Sequence, residues 1–516
     1  MTAAPDVAAW LESGAPFGCD GPVRRIDTHA ASIFLAGDRA WKIKRPVRFG
    51  YLDFSTAQAR HDVLQEECRL NRRTAPDLYI AVHAISLQDG KLALDGPGEA
   101  VDWVLEMRRF PDDALLDCQA RHGGLTDAAL MQLADGIVDF HMEAQVAGRE
   151  AGADRMRRVI QGNAASLQAY PAIVGPAAAE KLIARQLDLL AQHAALLDER
   201  ARTGRVRRVH GDLHLGNIAM IDGVPTPFDC LEFDAELATT DVLYDLAFLL
   251  MDLWARGLHH EANIVFNRYV DRSALDEDGI GLLPLFMSVR ATIRAHVRAA
   301  RAQMADDPAA IGEARDYLDL AARLIDPVAA QLVAIGGLSG TGKSTLARAI
   351  GGLLGHPPGA RILRSDVLRK RLANMPIETA LPPDAYTSQA SRSVYAELGR
   401  LAGHAIGAGQ GVVADAVFGS AEERDAVERI ARTADIPFHG FWLVLPEADR
   451  IRRITGRGPD ASDATAAVAR AQSQTIHAPE KGWKLLQAHG DVERMKTIIA
   501  GEIQRPEISG RSPIPG

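Results

Sequence analysis

The stretch "QLVAIGGLSGTGKST", residues 331–345, constrains the fold of this chain more than any other. A short apolar run ends in a glycine-rich turn, and a lysine and two hydroxyl residues open the next segment. In such a turn the backbone N–H groups of Gly337, Leu338, Ser339, Gly340, Thr341 and Gly342 can point inward around phosphate oxygens. The N-terminus of the next helix adds the positive end of its dipole. Lys343 is placed to reach the β- and γ-phosphates and the Ser344 hydroxyl to ligate Mg²⁺, with Thr345 completing the loop. A strand, a phosphate loop and a helix in that order predict a parallel sheet with helices on both faces.

The residues beyond it continue the pattern. "ARILRSD", "GVVADAVF" and "FHGFWLVL" read as further strands separated by helical stretches. Asp366 closes the first of these and Arg369 follows three residues on. A carboxylate there can take a proton from a substrate hydroxyl, and an arginine one turn away can hold an anionic substrate group. Asp415, at the end of "VVAD", is predicted to contact Mg²⁺ or substrate. "RRITGRGPDASDA" supplies Arg453 and Arg457 on a glycine-bearing segment. As a closing lid it would bring Arg453 to the substrate and Arg457 to the charge on the transferred phosphoryl group. Pro327 breaks the preceding helix, so the expected division is residues 1–326, 327–503 and a flexible tail at 504–516. A fragment begun near residue 327 is expected to bind Mg·ATP by itself.

Upstream, "SIFLAGDRAWKIK" reads as two strands around a Gly37-Asp38 turn, and Asp89-Gly90 marks a second hairpin. "STAQARHDVLQEECRLNRR" is helical, capped by Ser55 or Thr56. Helices run from Thr126 to about Arg202, interrupted near Pro171, and again from Thr240 to about Ile325. Between them stands "VHGDLHLGN". Asp212 fits a carboxylate beside an acceptor hydroxyl, and Asn217, with Asp229 of "PFDCLEFD", fits a pair of metal ligands. Arg290, Arg294, Arg298 and Arg301 form one helical stripe. It reads either as a solvated face or as a site for an anionic substrate.

These motifs carry two resemblances. Residues 331–500 resemble the small P-loop kinases, the group that includes gluconate kinase, zeta-toxin-type kinases and polynucleotide kinases. Residues 20–325 resemble the aminoglycoside phosphotransferase and choline kinase branch of the protein-kinase-like fold, whose loop reads H-G-D-x-H-x-x-N. The second resemblance implies a strand lysine paired with a helix glutamate. Lys42 is preferred over Lys44, and Glu67 over Glu66. It also implies a hinge at Glu106 and Met107 that contacts adenine, and a bracing role for Asp241 and Asp245. One departure is visible, because "THAAS" stands where a glycine-rich loop would precede the hairpin. In this order the two parts look like a group of bacterial two-domain proteins described as aminoglycoside phosphotransferase-like plus ATP-binding kinase. The implied fold is an α+β protein-kinase-like, two-lobed domain followed by an α/β three-layer P-loop NTPase domain with a parallel sheet.

The resemblance implies an ATP- and Mg²⁺-dependent phosphotransferase with two nucleotide sites and a small-molecule hydroxyl as acceptor. Asp212, Asp366, Lys343 and Arg457 would be its catalytic residues. The alternatives are a kinase of nucleic-acid 5′-hydroxyl ends and a regulatory ATP switch whose first domain senses a ligand. A net charge of −9 weighs against bulk binding of nucleic acid. Four scattered cysteines give neither a disulfide framework nor a zinc site, and no secretory signal or membrane span is evident. The expected location is the cytoplasm. The oligomeric state is left open.

Overall fold

The computed structural model describes residues 6–503, apart from 20, 29, 50, 51, 149, 150, 306, 457 and 459. Arg457 and the tail expected at 504–516 therefore lie outside the described residues. The chain divides into two compact units, Met1–Arg155 with Leu197–Leu249, and Met156–Leu196 with Leu250–Gly516.

The first unit is built on an antiparallel sheet. Its strands lie in the spatial order Arg24–Asp27, Ala31–Ala36, Arg39–Lys44, Glu99–Arg108, Tyr79–Gln88 and Lys91–Leu94. Both predicted hairpins form. Asp89 and Gly90 have φ of 50° and 76°, the two left-handed residues a tight hairpin needs. Alternation along Arg39–Lys44 then decides where the lysines go. Trp41 and Ile43 join Leu11, Phe34, Ile85 and Val104 in one core. Lys42 and Lys44 therefore point to the opposite side. That side is covered by the helix Ala57–Asn71, whose Leu64 and Cys68 pack with Tyr79 and Leu105. Thr56 caps this helix, accepting from the Ala59 N–H at 3.1 Å.

The second unit contains a five-stranded sheet in the order Arg361–Arg364, Val412–Asp415, Leu332–Gly337, Phe438–Val444, Lys484–Gln487, with every pairing parallel. The central strand is buried along its whole length, and the phosphate loop leaves its C-terminal end. Helices Lys343–Gly351 and Val492–Ile503 share one core with it through Leu346, Ile350, Met495 and Ile499. The helices Ser388–Gly407 and Ala421–Ala434 also pack on this sheet. Lys484–Gln487 is a strand that the sequence pattern did not predict. Its burial is confined to Leu486, so no alternation marks it.

The edge strand Arg361–Arg364 is closed by the helix His259–Arg272 of the same unit. Asn267 Oδ1 accepts from the Ile362 N–H at 2.7 Å and from Arg361 at 3.0 Å, and its Nδ2 donates to the Ala360 carbonyl at 3.0 Å. Asn263 donates to the Pro358 and Ala360 carbonyls at 3.2 and 2.9 Å. The side chain of Arg361 is fully buried. It is held by Glu277 at 2.7 and 3.0 Å and by Asp271 at 2.8 Å, and Arg371 reaches Glu277 at 3.1 Å. Backbone groups of an open sheet edge would otherwise stay unpaired, so this polar seam replaces a missing strand. The arginine stripe also finds partners within the unit. Arg298 pairs with Glu313 at 3.0 Å, Arg301 lies 3.9 Å from Asp307, and Arg294 lies over the Tyr317 ring. Arg294 and Arg298 thereby tie this helix to Pro308–Arg323.

Candidate active sites

In the first unit the side-chain alternation brings two ammonium groups to one carboxylate. Lys42 Nζ lies 2.6 Å from Glu67 Oε1 and 2.8 Å from Asp229 Oδ1. Lys44 Nζ lies 2.7 Å from Glu67 Oε2 and 2.7 Å from Glu232 Oε1. Lys42, Glu67 and Asp229 are thus together, and Lys44 shares the same glutamate. Glu66 faces elsewhere and pairs with Arg69. Burial alone would lower the Lys42 pKa, but Asp229, Glu67 and Glu232 hold it well above its ordinary value. For Asp229 burial works against the charge, and Lys42 and Lys44 outweigh it and keep the carboxylate below its usual range. The Asp229 side chain is 42% exposed, so it can still meet a ligand from solution.

The loop around Asp212 is fixed from behind. Asp245, fully buried, accepts from the N–H groups of His210 and Gly211 at 3.2 and 2.8 Å, and His141 Nε2 stands 3.1 Å from it. Asp241 is gripped by both arms of Arg200 at 2.8 and 2.9 Å. Asp245 thus braces the loop directly, whereas Asp241 anchors Arg200 from the strand Thr239–Asp241, which pairs with Val206–Arg208 ahead of the loop. Asn217 Nδ2 donates to Asp212 Oδ2 at 2.9 Å and to the Asp212 carbonyl at 3.0 Å, which fixes the orientation of its amide. Tyr79 and Asn71 complete the support. The hydroxyl of Tyr79 accepts from the Asp229 N–H at 3.1 Å, and Asn71 Oδ1 accepts from the Cys230 N–H at 2.8 Å. Neither was singled out from the sequence, although Asn71 lies one helical turn beyond Glu67. Met107 packs in the cluster of Leu64, Tyr79 and Phe110, and Glu106 is tied to Arg39 and His83 at 3.0 and 2.9 Å.

In the second unit the phosphate loop needs its glycines. Gly340 and Gly342 have φ of 86° and 94°, and a Cβ on Gly340 would stand 2.6 Å from the Arg450 carbonyl oxygen. Lys343 Nζ is 3.3 Å from the Leu338 carbonyl, and Thr341 Oγ1 donates to the same oxygen at 2.8 Å. Ser344 Oγ donates to Asp415 Oδ2 at 2.6 Å, so the two metal candidates of this site are in contact. Thr345 lies in the first turn of the helix Lys343–Gly351. One loop group departs from the expected cradle, since the Ser339 N–H donates to Gln472 Oε1 at 2.8 Å. Arg453, expected at the substrate, lies against the phosphate loop and donates to the carbonyls of Thr341 and Ala488 at 3.2 and 3.0 Å.

Asp366 opens the helix Ser365–Leu372. Burial raises its pKa, with Asp415 acting in the same direction and Arg364 opposing, which moves a carboxylate toward the range of a useful base. Arg369 donates to the Ala385 carbonyl at 2.7 Å and lies over the Tyr386 ring. Arg364 joins Asp460 at 3.0 and 3.2 Å and stands 3.6 Å from Asp415. Asp463 takes Lys370, Tyr386 and the Leu381 N–H, so the segment leading away from Arg457 is tied to the elements around Asp366 at two points. Arg364, Asp460 and Asp463 were missed because each is an ordinary charged residue in sequence, with a partner at least 50 residues away.

A sheet and helix that pair lysine with glutamate over an Asp212–Asn217–Asp229 loop, and a parallel sheet with a phosphate loop, are both kinase-type phosphotransferase folds. Residues 332–479 match the family model described as AAA domain. The chain belongs to the same family as the uncharacterized proteins Rv2004c of Mycobacterium tuberculosis and Mb2027c of Mycobacterium bovis, each 31% identical over 456 residues that cover 86% of this chain and 88% of the relative. Among solved structures, similarity extends to an aminoglycoside phosphotransferase (14% identity, 61% of this chain and 98% of that one, TM-score 0.37). It extends also to an ethanolamine kinase of Plasmodium vivax (10%, 58% and 81%, 0.38) and a gluconokinase of Sinorhizobium meliloti (18%, 34% and 95%, 0.25). No helix among the described residues is long and apolar enough to cross a membrane.

Proposed function

We propose that this chain is an ATP- and Mg²⁺-dependent kinase with two nucleotide sites, each transferring the γ-phosphoryl group of ATP to a hydroxyl of a small molecule. The observation that supports the reading is that each unit gathers a lysine, carboxylates and further oxygen-bearing side chains: Lys42 with Glu67 and Asp229 in the first, and Lys343 at the phosphate loop with Ser344 bonded to Asp415 in the second. In sequence the catalytic parts are residues 1–326 and 327–503.

At the first site Lys42, oriented by Glu67, would bind phosphate, and Asp229 and Asn217 would hold the metal. Asp212, steadied by Asn217, would accept the proton of the attacking hydroxyl. At the second site the loop from Gly337 to Thr345 would cradle the phosphates. Lys343 would follow the moving charge, Ser344 and Asp415 would hold the metal, and Asp366 would be the base. The donor sets fit a hard cation, since they offer carboxylate, hydroxyl and amide oxygens. Mg²⁺ when bound supplies neutralisation of charge on the β- and γ-phosphates. Arg369 would hold an anionic group of the acceptor, and Arg457 would stabilise the transferred phosphoryl.

A panel of polyols, aminoglycosides and 5′-hydroxyl oligonucleotides with radiolabelled ATP tests the reading. With an acceptor of the second site in hand, Asp366→Asn is expected to lower turnover by about 10²–10⁴-fold while leaving ATP affinity nearly unchanged. Arg369→Ala is expected chiefly to raise KM for that acceptor. Loss of ATP binding in Asp366→Asn, with turnover kept at saturation, would reverse the assignment.

A further inference from the structure

In the first unit, away from the Lys42–Asp229 cluster, the helix that carries Glu67 borders a cavity of about 280 Å³. Arg69, Arg73 and Arg208 are among its lining residues, and the exposed Glu143 is the acidic residue among them. Arg69, Gln145 and Arg208 also border a neighbouring cavity of about 620 Å³, where Glu66, Glu236 and Arg155 line the wall.

The charges in the smaller cavity are unequally met. Glu66 holds Arg69 through two bonds of 2.7 Å. Arg208, only 9% exposed, donates to the carbonyls of Asp234 and Leu231 at 3.1 and 3.2 Å, which are dipoles rather than counter-ions. Arg73 donates to the carbonyls of Leu70 and Arg208 at 2.9 and 2.8 Å and lies over the Phe140 ring at 4.9 Å, and its buried Nη2 has no hydrogen-bond partner. Burial, and next to it the charge of Arg73, push Arg208 below its ordinary pKa against the opposing charge of Glu66. Glu66, already held by Arg69, is the carboxylate whose charge also reaches Arg73 and Arg208, so three guanidinium groups share Glu66 and Glu143, and an anion would meet the remaining positive charge.

We propose that this cavity is an anion site for a phosphate group, with the guanidinium groups of Arg73 and Arg208 as donors. Guanidinium groups suit tetrahedral oxyanions because each presents several N–H groups in a planar fork. The larger cavity offers room for whatever a phosphate monoester carries. The site would also bear on the Lys42 cluster. Arg69 and Glu66 share a helix with Glu67, and the carbonyls that hold Arg208 flank Glu232, the partner of Lys44. An anion here would fix the helix and the segment after Asp229 from the side away from the lysines.

Calorimetry on the full chain with inorganic phosphate, and in parallel with phenyl phosphate, tests this. Lys343→Ala serves as the reference, since it removes phosphate binding at the loop of the second unit. In that background phosphate binding is expected to persist and to weaken by at least about ten-fold when Arg73→Gln is added. Glu143→Gln, which removes the opposing charge, is expected to tighten it, a gain that misfolding cannot produce. Tighter binding of phenyl phosphate would support a phosphorylated small molecule as the occupant, and equal binding would support free phosphate. Affinity unchanged by both Arg73→Gln and Glu143→Gln, or abolished by Lys343→Ala alone, would overturn the proposal.

Discussion

Arg361→Ala is expected to destabilise the second unit by about 3–5 kcal/mol, the usual cost of leaving a buried ion pair without one member. Arg361 is fully buried, and its guanidinium is the common partner of Glu277, Asp271 and Asn267. Burial opposes the charge on Glu277, but Arg361 and Arg371 hold its pKa below the ordinary carboxylate value. A carboxylate depressed in this way contributes stability at neutral pH, and that contribution is lost as the pH falls through its folded-state pKa. Denaturant unfolding at neutral and at acidic pH should therefore show a wild-type advantage that narrows in acid. Arg361→Met with Glu277→Leu should recover only part of the loss, because Asp271 loses Arg361 and Arg371 loses Glu277 in that variant. A wild-type midpoint in the single variant would remove the seam from the account of stability. The seam also alters the expectation for a fragment begun at residue 327. Such a fragment lacks Asn263, Asn267 and Glu277. It would expose the edge strand, so it is expected to be poorly soluble and to bind Mg·ATP weakly.

The second expected result concerns the two nucleotide sites. Asp212→Asn should lower phosphorylation of one acceptor by about 10²–10⁴-fold and leave the other reaction intact. Lys343→Ala should do the converse, since it removes phosphate stabilisation from the loop after Leu332–Gly337. The double variant should lose both. Measured with both acceptors in the same assay, a residual cross-effect would report coupling, typically of about 1–3 kcal/mol. If Lys343→Ala silenced both reactions and Asp212→Asn neither, the first unit would be a binding module, and only the second would be an enzyme.

Much of this architecture was legible because its signals are local. Glycine positions, an Asp-Gly turn with two left-handed residues, and alternation over Arg39–Lys44 are each written within a few residues. The same holds for the Asp212–Asn217 spacing, which lets the amide reach back to the carboxylate. What stayed hidden depends on pairs far apart in the chain. Tyr79 meets Asp229 across 150 positions, and Arg364 meets Asp460 across 96. Nothing in the residues around Arg361 distinguishes a surface strand from one sealed by a helix ninety-odd residues earlier. The arginine stripe at 290–301 could be read two ways for the same reason, because its acidic and aromatic partners sit on the next helix.

The lysine cluster has a consequence for what the first site attracts. Two ammonium groups, Lys42 and Lys44, stand among three carboxylates, Glu67, Asp229 and Glu232, so the cluster carries one surplus negative charge. That imbalance favours an incoming cation at Asp229, the most exposed of the three. It also makes the lysines partly redundant as partners of Glu67. Losing Lys42 would leave the helix still anchored through Lys44, while Asp229 would lose its nearest positive neighbour.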